Sequence, residues 1–263
     1  RARGVLLGLA CGDALGRPVE FDSAAAIEAA HGPLDEMVGY GTWNQPAGTI
    51  TDDTEQALCI ARSLVDQDGF DPADIADRFV GWYESGPFDI GGMTQRALRR
   101  LQAGESWDEA GQAVWEASTE GQNAGNGSVM RCAPLALRFA ADPSRLVDVS
   151  QQSSQITHAD PRCTVGCAVV NLTIANALAD AAQPLQAALE YLGPEVPEQL
   201  DTALQPIAAG ETPAQLHTSG YVVHSLQTAL HDALMADTAE EAITTAVTRG
   251  GDADTIAAIT GAV

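Results

Sequence analysis

A helical period of apolar residues, repeated along the whole chain, is the sequence feature that most restricts the fold. The segment "DPRCTVGCAVVNLTIANALADAA" (160–182) is apolar on nearly every face, which predicts a helix buried at the centre of the protein. Segments 53–67 and 71–86 instead carry apolar residues on one face, as expected of helices that cover a core. No segment shows the alternating pattern of a strand, so we predict an all-α fold.

Asp-Pro pairs and glycines mark the predicted helix boundaries. The pairs at 71–72, 142–143 and 160–161 place a capping aspartate before a proline at the first helical position. The other helices are predicted at 94–104, 106–118, 221–236 and 238–250. With no internal repeat and no long linker, we predict a single domain over residues 1–263, built from about a dozen helices.

The charge balance excludes several classes of partner. The chain has 36 acidic and 13 basic residues, a net charge of −23, and every basic residue is an arginine. A surface of this sign repels nucleic acid and anionic membranes, so we expect neither as a partner. The acidic, lysine-free composition resembles that of halophilic proteins, whose self-repulsion is screened by a high-salt cytoplasm. A GC-rich genome is the alternative explanation for the missing lysine, but it does not explain the acid excess.

Cysteine usage and the N-terminal segment favour a reducing, cytoplasmic location. The five cysteines form no recognisable framework, and we predict buried free thiols, with Cys163 and Cys167 packed in the core. The segment "RARGVLLGLACGDALG" (1–16) has only a short apolar run, which ends before the charged Asp13, so we interpret it as the first core helix rather than a secretion signal. No stretch reaches the roughly 18 apolar residues of a membrane span.

Two clusters of acidic residues and threonines lie at predicted helix starts about 200 residues apart. One is "TDDT", in which Asp52 and Asp53 are adjacent, and the other is "GGDADT" (250–255). One capping residue satisfies a helix N-terminus, so the second carboxylate of each cluster is free for another task. If the clusters converge, their carboxylates repel one another unless cations bind, and oxygen-only ligands select magnesium, manganese or calcium over zinc. The alternative is two separate helix caps.

Five motifs along the chain resemble those of the ADP-ribosylglycohydrolase family. They are "GLACGDALGRPVE", "ITDDT", "GNGSVMR", "THADP" and "GGDADTIAAITGA", and they have the order and spacing of that family. Each motif is weak alone, whereas five in order are specific. The resemblance implies an all-α domain whose central cleft holds two divalent ions, Mg²⁺ or Mn²⁺. Members of the family usually continue beyond the final "AAITGAV", so we expect the sequence to be shortened at its C-terminus.

The resemblance also implies catalytic and metal-binding residues. The implied metal ligands are Thr51, Asp52, Asp53, Asp252, Asp254 and Thr255. Glu20 matches a glutamate near the metals that activates water or contacts the substrate, and Asp53 is the alternative proton acceptor. Asp89 matches a loop beside the distal ribose and is the candidate proton donor to the leaving group.

A second set of residues is implied in binding ADP-ribose. The segment "GNGSVMR" (125–131) resembles the diphosphate-cradling loop of the family, with N–H groups at the start of a helix from Val129 facing the anion. The implied substrate-binding residues are Gly92, Asn126, Gly127, Ser128, His158 and Tyr221. Gly92 replaces a polar residue found in some members, which leaves the modified side chain open. Tyr221 either stacks near the nucleotide or packs at a helix start.

We therefore predict a cytoplasmic, monomeric enzyme that removes ADP-ribose from a modified protein side chain, with arginine favoured. A hydrolase of a small ADP-ribose derivative such as O-acetyl-ADP-ribose is one alternative, because the ADP-ribose half of its site would look the same. A catalytically silent ADP-ribose-binding protein is another, although such members are expected to lose the aspartates that this chain retains. A calcium-binding module is a third, but calcium loops place their ligands close together in the sequence.

Overall fold

The computed structural model describes residues 1–263 and contains helices and turns without any β-sheet, which confirms the predicted all-α fold. The α-helices are α1 (Ala2–Gly16), α2 (Ala24–His31), α3 (Asp52–Asp66), α4 (Pro72–Glu84), α5 (Gly92–Gln102), α6 (Trp107–Ala117), α7 (Ala133–Phe139), α8 (Pro143–Gln155), α9 (Pro161–Leu178), α10 (Pro184–Leu192), α11 (Glu198–Ala208), α12 (Val222–Met235), α13 (Ala239–Thr248) and α14 (Ala253–Ala262). Single turns of 3₁₀ helix occur at Arg17–Val19, Gly41–Trp43 and Gly193–Glu195. None of these helices combines the length and apolar composition needed to cross a bilayer.

Helix α9 lies at the centre of the protein, as its apolar composition predicts. Every residue from Val165 to Ala175 is buried, and α7, α8, α10 and α12 all contact this helix. Cys163 and Cys167 are fully buried on it, which confirms their predicted core packing. All five cysteines are free thiols, but Cys11 is exposed, so the prediction of burial is wrong for that residue. A continuous cluster of 57 buried residues makes the chain one compact domain.

Local chemistry starts several helices where the sequence predicts. Helices α4, α8 and α9 each begin with a proline, whose missing N–H and fixed φ suit the first helical position. The aspartates in front of them, Asp71, Asp142 and Asp160, accept hydrogen bonds from backbone N–H groups of the first turn. Each such cap contributes on the order of 1 kcal/mol to stability.

The helix start predicted at Val129 is wrong. The N–H groups of Val129 and Met130 both donate to the carbonyl oxygen of Asn126, within a run of turns. Helix α7 begins only at Ala133. The N–H groups of segment 125–131 therefore belong to turns and not to a helix N-terminus.

A stripe of glycines lets α1 and α14 lie in backbone contact, and these two helices form the most extensive helix pair of the fold. A Cβ atom on Gly8 would lie 1.9 Å from the carbonyl oxygen of Gly261, and one on Gly12 would lie 2.0 Å from that of Ala257. A Cβ on Gly16 would lie 2.5 Å from the backbone of Asp254. No side chain fits in this seam, so the glycines bring the start of α14 against the end of α1.

Candidate functional site

A cleft of about 570 Å³ opens where the starts of α3, α5 and α14 meet the loops that precede α7 and α12. Only five of its 23 lining residues are hydrophobic, so its walls can bind a polar ligand. Eleven residues predicted from the sequence line it: Glu20, Asp52, Asp53, Asp89, Gly92, Asn126, Gly127, His158, Asp252, Asp254 and Thr255. The two acidic clusters, far apart in the sequence, thus converge on one cleft.

Three of the predicted site residues do not line the cleft. Thr51 lies directly behind it, with its hydroxyl 3.1 Å from Oδ2 of Asp53. Ser128 is buried and accepts a hydrogen bond of 2.9 Å from the hydroxyl of Ser154. Tyr221 lines a different hollow on the surface of the protein. The structure therefore places Thr51 and Ser128 in supporting positions and Tyr221 outside the cleft.

Asp13 is a central residue of the site that lies within the motif "GLACGDALGRPVE" but was not predicted as a site residue. This fully buried carboxylate of α1 accepts the backbone N–H groups of Thr51 at 3.0 Å and Thr54 at 3.1 Å, and it also accepts both of their hydroxyls. It thereby caps α3, whose N-cap residue makes no side-chain cap of its own. The signal in the sequence is a single acidic residue in an apolar stretch of a helix. A carboxylate buried there needs polar partners from elsewhere in the fold.

Five carboxylates in and directly behind the cleft fall into two groups that share one member. In the first group Asp13, Asp53 and Asp254 each place an oxygen within 4.8 Å of the others, and in the second group Glu20, Asp89 and Asp254 do so. Oδ1 of Asp53 is buried and has no hydrogen-bond partner in the protein. An unpartnered buried carboxylate oxygen costs free energy unless a cation or proton joins it. This donor set, made only of hard oxygens, fits divalent Mg²⁺ or Mn²⁺.

The raised pKa values of these carboxyl groups also indicate a site for cations. Burial, followed by repulsion from neighbouring acids, raises the pKa of Glu20 to about 8 and the pKa of Asp89 to about 7. The same two causes, in the same order, raise the pKa of Asp53 and of Asp254 well above the usual range. Protons or cations must therefore neutralise the cleft at neutral pH, and a divalent cation would return these groups to the ionised form.

Aromatic residues form one rim of the cleft. Trp43 donates its indole N–H to a carboxylate oxygen of Glu20 and so fixes the direction of that side chain. The ring of Trp43 lies 6.4 Å from that of Phe21 and 5.9 Å from that of Phe88, measured between centroids. Phe21 is 68% exposed and has a φ of 69°, a backbone conformation that costs free energy for a non-glycine residue. The sequence motifs did not identify this rim.

The glycine-rich loop in front of α7 forms the opposite wall. The backbone N–H groups of Gly127 and Ser128 donate no hydrogen bond within the protein, and Gly127 lines the cleft, so its N–H is available to an anion. A Cβ on Gly127 would lie 3.0 Å from the ring of His158 and 3.1 Å from the hydroxyl of Thr94, so only glycine fits without displacing them. The Thr94 hydroxyl is itself buried and unpartnered. The wall thus offers unpartnered donors beside Gly127.

Comparison with known protein families matches residues 1–263 to ADP-ribosylglycohydrolase. The ADP-ribosyl-[dinitrogen reductase] glycohydrolase of Rhodospirillum rubrum is 33% identical over 261 residues, which cover 99% of this chain and 83% of that protein. The ADP-ribosylarginine hydrolase Tri1 of Pseudomonas putida (strain GB-1) is 35% identical over 276 residues, which cover 99% of this chain and 68% of that protein.

A solved structure agrees with these sequence matches. It is described as an ADP-ribosylglycohydrolase-related protein complex and superposes with a TM-score of 0.79 at 35% sequence identity. The superposition covers 99% of this chain and 84% of the other. Sequence and architecture thus agree over 99% of this chain.

Proposed function

This chain belongs to the ADP-ribosylglycohydrolase family, whose members hydrolyse glycosidic bonds, and we propose that it uses divalent metal ions to release ADP-ribose from a modified protein side chain. The observation that carries the proposal is the convergence of the acidic starts of α3 and α14, together with Asp13, on one polar cleft. The free donors of the opposite wall suit the diphosphate of ADP-ribose, which otherwise would be repelled by a protein of net charge −23.

The proposed metal ligands come from three helices and two loops. Asp53 and Asp254, with Asp13, form one group of oxygens, while Glu20 and Asp89 approach Asp254 from the other side. Two ions, Mg²⁺ or Mn²⁺, suit two groups that share Asp254. When bound, such ions would compensate the carboxylate charge, orient sugar hydroxyls and lower the pKa of a water molecule. The Thr51 hydroxyl lies behind these ligands, 2.9 Å from Oδ1 of Asp13 and 3.1 Å from Oδ2 of Asp53.

Two carboxyl groups are proposed to move protons. Glu20 is held by Trp43 with one oxygen facing the cleft, so it can accept the proton of the attacking water. Asp89 lines the cleft close to Glu20 and Asp254, and it is proposed to carry a proton to the leaving group. The bond between C1 of the distal ribose and the side-chain atom breaks as the water oxygen bonds to C1, through an oxocarbenium-like transition state.

Arginine is the favoured modified side chain for two reasons. A guanidinium group is stabilised both by a carboxylate and by the face of an aromatic ring, and the cleft offers Asp89 together with the rings of Phe21 and Trp43. A relative of 35% identity is an ADP-ribosylarginine hydrolase by name. The substrate is thus proposed to be an ADP-ribosylated protein, and a monomeric state and a cytoplasmic location remain predictions from composition.

The test is hydrolysis of two peptides, one carrying ADP-ribosylarginine and one carrying ADP-ribosylserine, with Mg²⁺, with Mn²⁺ and with a chelator, at low and at molar salt. We expect metal-dependent release of ADP-ribose, faster from the arginine peptide. Asp254→Asn should abolish release. The control Asp148→Asn, which neutralises an exposed carboxylate on α8, should not.

The outcomes separate the alternatives. Release that persists in the chelator would refute the metal-dependent mechanism. ADP-ribose binding without release from either peptide would refute the protein substrate and favour a hydrolase of small ADP-ribose esters such as O-acetyl-ADP-ribose. If those esters also remain intact, the chain would be a silent ADP-ribose-binding protein.

A further inference from the structure

Arg131 is fully buried behind the cleft and has no carboxylate partner. Its side chain donates one hydrogen bond to Oε1 of Gln56 and another, of 2.6 Å, to Oγ1 of Thr157, and its guanidinium lies 4.3 Å from the ring centroid of Phe79. A guanidinium can only donate hydrogen bonds, so both partner oxygens must be acceptors. The Gln56 amide is thereby oriented with its NH₂ group towards the carboxylate of Asp52, at 3.5 Å.

Thr157 passes the same constraint on to His158. Its hydroxyl oxygen accepts from Arg131 and lies 2.7 Å from Nδ1 of His158. The hydroxyl carries a single proton, and Nδ1 is the acceptor within reach. A proton on Nδ1 would instead direct two donors at one oxygen and leave the hydroxyl proton without a partner. The ring therefore accepts at Nδ1 and carries its proton on Nε2.

Two further observations agree with a neutral ring that donates into the cleft. Burial, reinforced by the charges of Arg131 and Arg96, lowers the pKa of His158 to about 3, so the ring is not an imidazolium. Nε2 has no hydrogen-bond partner in the protein and lies 3.2 Å from the position that a Cβ would take on Gly127. The proton on Nε2 thus faces the wall that also carries the free N–H groups of the loop.

We propose that Arg131 and Thr157 are positioning residues that fix His158 as the Nε2–H tautomer, so that its ring donates a hydrogen bond to an anion in the cleft. That the anion is the diphosphate of ADP-ribose rests on the proposed function. The tautomer itself rests only on the buried chain of hydrogen bonds. This tautomer suits an anionic ligand, because the other tautomer would direct a bare Nε2 lone pair at a phosphate oxygen and repel it.

The experiment uses the Mg²⁺-loaded protein labelled with ¹⁵N-histidine. Long-range ¹H–¹⁵N correlation spectra report which ring nitrogen carries the proton, and the His158 signals are assigned by their absence in His158→Gln. We expect a protonated Nε2 and an unprotonated Nδ1 in the native protein. Thr157→Val keeps the side-chain shape but removes the hydroxyl, so the Nδ1–H tautomer should become populated, while Thr157→Ser should retain the native spectrum.

Calorimetric titration with ADP-ribose supplies the second readout. Thr157→Val should raise the Kd about tenfold, the loss expected for one hydrogen bond to a charged group, and Thr157→Ser should restore the native affinity. An Nδ1–H tautomer in the native protein would overturn the inference, as would an unchanged spectrum in Thr157→Val. If Thr157→Val does not fold, the native spectrum alone decides. A fixed Nε2–H tautomer in a protein that ignores ADP-ribose would refute the proposed function and support the positioning role.

Discussion

Replacing Gly12 by alanine tests the seam that brings the carboxylates of α1 and α14 together. The new Cβ would lie 2.0 Å from the carbonyl oxygen of Ala257, a distance that non-bonded atoms do not reach. Because the obstacle is backbone rather than a flexible side chain, the two helices must separate by about 1 Å. The substitution therefore perturbs the spacing of the whole pair, not a single contact.

The size of the effect is set by two opposing contributions. Overpacking of a close contact costs up to about 3 kcal/mol, and the better helix propensity of alanine returns about 1 kcal/mol. We expect a net loss of about 2 kcal/mol in the free energy of unfolding, which lowers the Tm of a domain of this size by about 4–8 °C. Mg²⁺ affinity should fall as well, because Asp13 and Asp254 lie on the separated helices and Mg²⁺ demands near-ideal geometry.

Gly4→Ala is the matched control on the same helix, since a Cβ at Gly4 has no atom within 4 Å. That variant should be as stable as the native protein or more so, by up to about 1 kcal/mol. Urea unfolding and thermal melts measure the stabilities, and calorimetry measures Mg²⁺ binding. A Gly12→Ala protein as stable as Gly4→Ala, with unchanged Mg²⁺ affinity, would refute the seam as the device that spaces the carboxylates.

The site and the charge of the protein give four other expectations. Asp254→Ala should remove metal binding and activity while the helical circular dichroism spectrum is retained, and a variant with full metal content and full activity would contradict its assignment as a ligand. In the metal-free protein, burial raises the pKa of Glu20 from 4.5 to about 8 and of Asp89 from 3.8 to about 7, so the folded state binds more protons than the unfolded state across that range. The free energy of unfolding should therefore fall as the pH rises from about 5 to about 8, and Mg²⁺ should flatten this slope in urea titrations. Thr94→Val should weaken ADP-ribose binding about threefold to tenfold in calorimetry, because it removes a free hydroxyl beside the glycine-rich loop, whereas Thr94→Ser should not. Finally, the Tm should rise from low to molar NaCl because salt screens a net charge of −23, and a flat profile would argue against a halophilic origin.

The helical scaffold could be predicted because its signals are local. The aspartate in front of a proline caps the helix that it precedes, as at Asp71, Asp142 and Asp160, and no distant residue is needed for this chemistry. Helix α9 could likewise be placed in the core, because an apolar surface on every face has no other stable environment. The false helix start at Val129 marks the limit of such reasoning. There the chain is held by Asn126, whose own N–H donates to the carbonyl of Gly220, a contact that no local pattern reveals.

The candidate site was predictable only where the family resemblance assigns a role to its residues. The role of Asp13 was missed because its partners, Thr51 and Thr54, lie 38 and 41 residues further along the chain. The position of the Tyr221 side chain depends on how its loop pairs with the loop at Gly125, which a helix-start pattern does not determine. Distances across the fold, rather than residue types, decide these cases.

The adjacent aspartates at the start of α3 illustrate how one helix end serves two purposes. Successive residues of a helix point about 100° apart, so neighbours on the chain cannot face the same partners. Asp53 turns towards the group formed with Asp13 and Asp254, while Asp52 accepts the N–H of Gly91 at 3.4 Å, beside the loop of Asp89. Both carboxylates gain from the positive end of the same helix dipole. A single helix start therefore reaches both sides of the cleft, provided that the glycine seam holds α14 opposite to it.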